Sequence, residues 1–238
     1  MRKAIIIGAS SGIGKGLAQL LVENNYKVGI TGRRTELLLE LQRKNKDGFI
    51  IKTLDVKDID KTIQLLEELT NELGGLDLVI ISSGAGDINF ELDFAIEKRT
   101  IDTNVTGFTG IADWSFNYFK NKKNGHLVAI SSIAGFRGGR QAPAYNATKA
   151  YQINYLEALR QKAVYLKLPI FITDVRPGFV DTDMAKGDGL FWVATVEKAT
   201  RLIYNAIKQK KKVVYVTKRW RLIAMVLKLI PRSIHERI

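Results

Sequence analysis

Along this chain, short runs that are apolar throughout alternate with stretches whose apolar residues recur at helical spacing, and that alternation restricts the fold more than any other feature. Residues 4–7, 27–31, 49–54, 76–81, 125–131, 169–175 and 213–217 read as strands. Residues 13–24, 35–45, 58–73, 145–166 and 196–209 read as helices, with two more before residue 120, the second starting near Ile101. Asp58 stands where the third helix needs a cap. A strand with one wet face alternates apolar and polar residues; these do not, so both of their faces must be covered. Such strands, separated by helices, form a parallel sheet. Right-handed crossovers then give a doubly wound, three-layer α/β domain, expected over residues 1–217. A chain of 238 residues can close one core of this kind without staples.

Composition removes several classes of function. There is no cysteine, so disulfides, thiolate metal sites and cysteine nucleophiles are excluded. His126 and His235 are isolated and read as structural, and no metal-ligand constellation is found. No apolar run reaches the length of a membrane span, and Gly8 and Lys15 cut the apolar start too short for a secretion signal. A cytoplasmic protein is expected. The formal net charge of +13 is unevenly placed: residues 208–238 hold ten Lys or Arg and one acid, Glu236, and so carry +9. A nucleic-acid-binding domain spreads basic and aromatic residues over a whole face, so no nucleic-acid partner is expected.

Between the first strand and the first helix lies Gly8-Ala9-Ser10-Ser11-Gly12-Ile13-Gly14. Gly8 permits the turn, Gly12 lets backbone approach a pyrophosphate, Gly14 lets the helix pack tightly on the sheet, and the helix N-terminus faces the anion. With the segments below, this GxxxGxG loop resembles that of the short-chain dehydrogenase/reductase family. The resemblance covers about residues 3–217. It implies a one-domain Rossmann fold, a nicotinamide cofactor held by Gly8, Ser10, Ser11, Gly12, Ile13 and Gly14, and carbonyl or alcohol chemistry on a small molecule. Ile7 stands where the family usually has Thr, so one turn-stabilising hydroxyl is missing.

The resemblance assigns further positions. At the end of the second strand, Gly32 holds the place where NAD enzymes carry an acid, and Arg33 and Arg34 follow. No carboxylate repels a ribose 2′-phosphate there, and Arg33 can take it bidentately and stack on adenine, which implies NADP(H). Asp55 and Val56 match the family's adenine contacts. The family's Asn-Asn-Ala-Gly is replaced by a stretch holding Ser82, Ser83 and Gly84, so hydroxyls must brace the central strands in place of amides. Pro177, Gly178, Val180 and Thr182 resemble the loop that binds the carboxamide and fixes the nicotinamide face. Residues 183–195, with Gly187, Gly189, Phe191 and Trp192, suit a partly apolar substrate lid.

The family acts through Tyr and a Lys four residues on, a spacing that puts both on one helix face. The pattern occurs three times, at Tyr118/Lys122, Tyr145/Lys149 and Tyr204/Lys208. Only the second has a Ser at the end of a strand upstream, Ser132; the corresponding positions for the others are Val105 and Phe191. Tyr118 and Tyr204 therefore read as packing residues and Ser131 as structural. Tyr145 would exchange a proton with the substrate oxygen, Ser132 would donate to that oxygen, and Lys149 would favour the phenolate and hold the nicotinamide ribose. Asn104 resembles the family residue whose carbonyl and side chain hold a water linking Lys to solvent. Phe136, Arg137 and Arg140 are placed to line the pocket. The alternative to an enzyme is a cofactor sensor or scaffold, but such proteins usually lose the Tyr or the Lys.

The resemblance also implies a homo-oligomer, dimer or tetramer, built on the helices starting near Asn104 and Tyr145. Residues 218–238 form a basic amphipathic extension: in 219–230, Trp220, Leu222, Ile223, Val226, Leu227, Leu229 and Ile230 share one arc and Arg221, Lys228 and Arg232 lie opposite. That arc packs on the chain itself or on a partner, or lies on a membrane surface.

Overall fold

The computed structural model describes residues 1–185 and 189–237. The strands are β1 (Arg2–Ile7), β2 (Tyr26–Gly32), β3 (Phe49–Thr53), β4 (Leu78–Ile81), β5 (Gly125–Ile130), β6 (Ile170–Pro177) and β7 (Val213–Val216). They pair in parallel in the order β3-β2-β1-β4-β5-β6-β7. Between them run α1 (Gly12–Glu23), α2 (Thr35–Lys44), α3 (Ile59–Leu73), α4 (Phe94–Ile101), α5 (Phe108–Lys122), α6 (Pro143–Tyr165) and α7 (Val196–Lys208). After β7 come α8 (Arg219–Leu229) and α9 (Arg232–His235). The doubly wound fold is the expected one, and each strand lies within two residues of its apolar run.

The reason the strands are apolar throughout is visible in β1. Ala4 and Ile6 enter one core with Leu17 and Leu21 of α1 and Ile203 of α7; Ile5 and Ile7 enter the other with Leu66 and Leu69 of α3 and Phe116 of α5. Each fully buried Leu contributes about 2–5 kcal/mol against Ala. Asp58 caps α3 as expected, its carboxylate accepting from Lys61 N at 3.3 Å.

The two helices expected before residue 120 are one continuous rod. A π-helical turn, Asp102–Gly107, joins α4 to α5 without a break. Such wide turns cluster at functional sites; this one carries Asn104, fully buried. Sequence order reverses between β1 and β4, so the crossovers on either side diverge and leave a crevice at the carboxyl ends of the strands.

Candidate active site

β1 leaves the sheet at Gly8, whose φ of +89° suits glycine alone. A Cβ there would lie 2.6 Å from Ser83 N, and one at Gly14 would collide with the Gly8 carbonyl oxygen. The turn, the end of β4 and the start of α1 are thus in backbone contact. Gly12 faces Thr182 across the crevice, with the Thr182 Cγ2 only 3.0 Å from where a Cβ would stand. Ser11 at the N-cap makes no side-chain cap bond, so first-turn amides of α1 remain open to an anion. This bare cradle, with Ser10 and Ile13 beside it, fits a dinucleotide pyrophosphate.

At the end of β2, Gly32 faces the Ser10 side chain. The Arg34 guanidinium donates to Ser10 Oγ at 2.9 Å and to Ser11 Oγ at 2.7 Å. That cluster of donors contains no carboxylate and suits a phosphate monoester. Arg33 is exposed and lines the next cleft, of about 310 Å³, with Thr53, Leu54, Asp55 and Lys61. Asp55 there accepts from Lys57 N at 3.1 Å, and Val56 is buried against Gly107. Sequence reasoning favoured Arg33 for the phosphate; the structure brings Arg34 to the loop hydroxyls instead.

After β4 the bracing expected of the Ser82 and Ser83 hydroxyls falls to other groups. Ser82 donates its amide to Ile7 O at 2.8 Å. Asn104 grips Ala85 at both ends: Nδ2 donates to Ala85 O at 2.7 Å and Oδ1 accepts from Ala85 N at 2.9 Å. Gly84, next to it, faces both Asn104 Oδ1 and Lys149 Nζ.

Pro143 opens α6, where its missing N–H costs nothing. One face of that helix then supplies Tyr145, Thr148, Lys149 and Gln152. Half-buried, the Tyr145 ring lies flat on Gly86, which has no room for a side chain. Ser132, at the end of the β5 segment, accepts from Ala134 N at 3.1 Å. Lys149 is buried and donates to Ile130 O at 3.0 Å and to Gln152 Oε1 at 2.9 Å. Gln152 Nε2 in turn donates to the Asn104 carbonyl at 2.9 Å, and Asn104 Nδ2 reaches Thr148 Oγ1 at 3.0 Å. The carbonyl that the resemblance gave to a water is therefore taken by a side-chain amide, which links it directly to the lysine. Sequence reasoning missed Gln152, which belongs to no motif.

Burial pushes the Tyr145 phenol above its ordinary range, and the Ser132 hydroxyl draws it part of the way back. Burial also lowers Lys149 to about 8, opposed by the charge of Asp174. The Lys149 ammonium stands 5.7 Å from the Tyr145 ring centre. At neutral pH the phenol is protonated and the ammonium mostly charged, an arrangement able to give a proton to a ligand oxygen. Ser131 turns away, its hydroxyl donating to buried Asp174 and to Val175 O. Asp174 pairs with Arg176 at 2.6 Å beneath the site. The other two Tyr-Lys pairs lie elsewhere: Tyr118 packs on Trp114 with Lys122 bonded to Leu76 O, and Tyr204 packs on the α1–α7 core. His126 bonds Thr173 Oγ1 at 2.8 Å, and burial holds it near 4.

On the far wall, Val180 is buried and Thr182 Oγ1 donates to Val180 O at 3.2 Å. Gly178, after Pro177, has no room for a Cβ because the Trp220 indole of α8 lies against it. Phe179, Phe191 and Trp192 gather round the same indole at 5.3, 5.1 and 6.1 Å. Gly187 of the expected lid lies outside the described residues. Arg137 does not line the pocket: its guanidinium donates to Leu227 O and Ile230 O, both at 2.6 Å, at the end of α8. Phe136 is covered by the Arg176 guanidinium at 5.1 Å, and Arg140 is exposed.

Known proteins resemble this chain in sequence and in fold. The sequence pattern of the short chain dehydrogenase family matches residues 2–189. An uncharacterized oxidoreductase of Myxococcus xanthus is 36% identical over 189 residues, covering 77% of this chain and 74% of that protein. One from Mycobacterium tuberculosis is 34% identical over 193 residues, covering 77% and 75%. Among solved structures, a short-chain dehydrogenase from Streptomyces avermitilis superposes with a TM-score of 0.83 at 22% identity, covering 95% of this chain and 91% of that one. The closed form of serine dehydrogenase complexed with NADP+ gives 0.81 at 23% identity, covering 90% and 93%.

Proposed function

Because the chain belongs to the short-chain dehydrogenase/reductase family of nicotinamide-dependent oxidoreductases, we propose that it interconverts a carbonyl and an alcohol with NADP(H), using Ser132, Tyr145 and Lys149. The observation that carries this reading is the buried run from Lys149 through Gln152 to Asn104 beside the Tyr145 ring. The bound cofactor supplies or takes up the hydride. Gly8, Gly12, Gly14 and Thr182 would hold its pyrophosphate and nicotinamide ends, and Arg34, Ser10 and Ser11 its 2′-phosphate. Solved relatives of this fold bind NADP(H), which supports the same choice here.

In the reducing direction Ser132 donates a hydrogen bond to the carbonyl oxygen, and Tyr145 gives that oxygen its proton as charge develops on it. The phenol is suited to this because burial keeps it protonated at neutral pH. Lys149 faces the phenolate that remains, and its hydrogen bonds to Ile130 O and Gln152 hold the ammonium in place. In the oxidising direction the same groups run in reverse, with the phenolate taking the hydroxyl proton. The deciding experiment is a screen of carbonyl compounds with NADPH and NADH, followed by Tyr145→Phe on whatever substrate is found. Removing only the phenolic hydroxyl should lower turnover by about 10²–10⁴-fold and leave NADPH binding intact. Near-normal turnover in that variant would remove Tyr145 from the chemistry.

A further inference from the structure

The arc of apolar residues in 219–230 divides in two. Trp220 and Ala224 face inward and are buried; Leu222, Met225, Val226 and Leu229 face outward, with Leu222 at 61% and Leu229 at 80% exposure. On a helix these four outward residues fall within about 100° of one another. Arg219 flanks them on one side, and Arg221 and Lys228 on the other, all exposed. At the N-terminal end the surface continues onto the lid, where Trp192 is 44% exposed with the Arg219 guanidinium 5.8 Å from its ring centre. At the other end Arg137 fastens the carbonyls of Leu227 and Ile230 to the body of the protein. The stripe is therefore held outward; it cannot fold back on the core that Trp220 already occupies.

We propose that this face is a docking surface for an anionic lipid bilayer. Each feature has a counterpart in such a surface. The apolar stripe is wide enough to enter the boundary between headgroups and acyl chains, and 11 residues are too few to cross it, so the helix lies in the plane. Arg219 on one edge and Arg221 on the other can meet lipid phosphates while their stems stay in contact with apolar surface, and the Lys228 ammonium, 4.8 Å from the Phe136 ring centre, adds positive potential at the same end. Tryptophan beside them suits the interface, where one side of the ring is dry and its N–H is wet. A second copy of this chain is a poor occupant, because residues 208–238 carry +9 and two such faces would meet like charge to like charge.

Vesicle cosedimentation of the whole protein tests this, with phosphatidylcholine alone and with phosphatidylcholine mixed with phosphatidylglycerol. The protein should pellet with the anionic vesicles at low salt, stay in solution with the neutral ones, and be released by high salt. The pair Leu222→Gln and Leu229→Gln leaves every charge in place and touches no buried side chain, so it should keep its melting temperature while its vesicle affinity falls by at least about tenfold. The pair Arg221→Gln and Lys228→Gln should fall by about tenfold or more as well. No pelleting with anionic vesicles at low salt overturns the proposal. So does binding that survives the leucine pair, since it would be bare charge attraction. A drop in molar mass by light scattering in the leucine pair also overturns it, because the stripe would then belong to a subunit contact.

Discussion

Arg33 and Arg34 are neighbours with different surroundings. Arg34 is braced by two hydroxyls of the glycine loop, so its guanidinium is already in position for a phosphate, whereas Arg33 lies in the open along the adjoining cleft. Charge-assisted contacts contribute about 1.5–3 kcal/mol each. Arg34→Ala should therefore weaken NADPH by about 10- to 100-fold and leave NADH nearly unchanged, and Arg33→Ala should weaken both cofactors by a smaller factor. Titration of the four combinations by fluorescence checks this, and equal loss of NADPH and NADH in Arg34→Ala would rule out a phosphate contact. From the sequence the pair is legible as basic, but which of the two meets the loop is not: that depends on the path of the chain between β2 and α2. That Tyr145 lies beside Ser132 and Lys149 was legible, because it rests on Ser132 at a strand end and needs no side-chain detail.

At the scale of elements, α6 explains why the lysine is positioned as it is. Of the four residues on its site face, Thr148 and Gln152 bond Asn104 in the π-helical turn, and the helix cannot shift without breaking the run from Lys149 through Gln152. Reduction requires a charged Lys149, which burial has brought down to about 8, so the reducing rate should be flat near neutrality and fall as pH rises through that value. Gln152→Leu removes an acceptor that favours the ammonium, so the lysine should lose its proton earlier and the fall should move down by about one pH unit. Gln152→Glu adds a negative charge beside the ammonium, and the fall should move up. A pH profile of turnover at saturating cofactor distinguishes these from a general loss of activity; coincident profiles would make Gln152 a packing residue only. The strands were legible because a strand covered on both faces has an unmistakable composition, as β1 shows. The π turn was not, since the weak helix formers Asp102 to Gly107 (Asp-Thr-Asn-Val-Thr-Gly) suggest a break between two helices as readily as a widened turn within one. Nor was the division of the α8 arc: Trp220 and Leu222 are equally apolar in sequence, and only the presence of Gly178 beneath the indole decides which one goes inside.

For the whole molecule, the family implies association through α5 and α6. On those helices Trp114, Tyr151 and Tyr155 are only partly buried against the core, and Val164 and Tyr165 stand exposed at the end of α6. The β7 edge of the sheet is different. There α8 packs along β7 with its arginines outward, and a second copy brought to that edge would meet the same charge. A dimer and no larger species is the expected outcome of multi-angle light scattering at micromolar concentration and moderate salt. A monomer alone would remove the α5–α6 association, and a tetramer would show that the basic edge tolerates a copy of itself.

Arg137 ties the segment between Ser132 and Tyr145 to carbonyls that lie 90 and 93 residues further along the chain. During synthesis, then, the glycine loop, the sheet strands up to β6 and the Tyr145 helix can all be made and collapse together while this one guanidinium is still without its acceptors. That segment is fastened only after residues 219–230 have left the ribosome and coiled, since an extended strand does not present those carbonyls side by side. A nascent chain stalled before that point would have Ser132, Tyr145 and Lys149 translated but the segment between Ser132 and Tyr145 still unfastened, so α8 completes a piece of the fold made some 90 residues earlier.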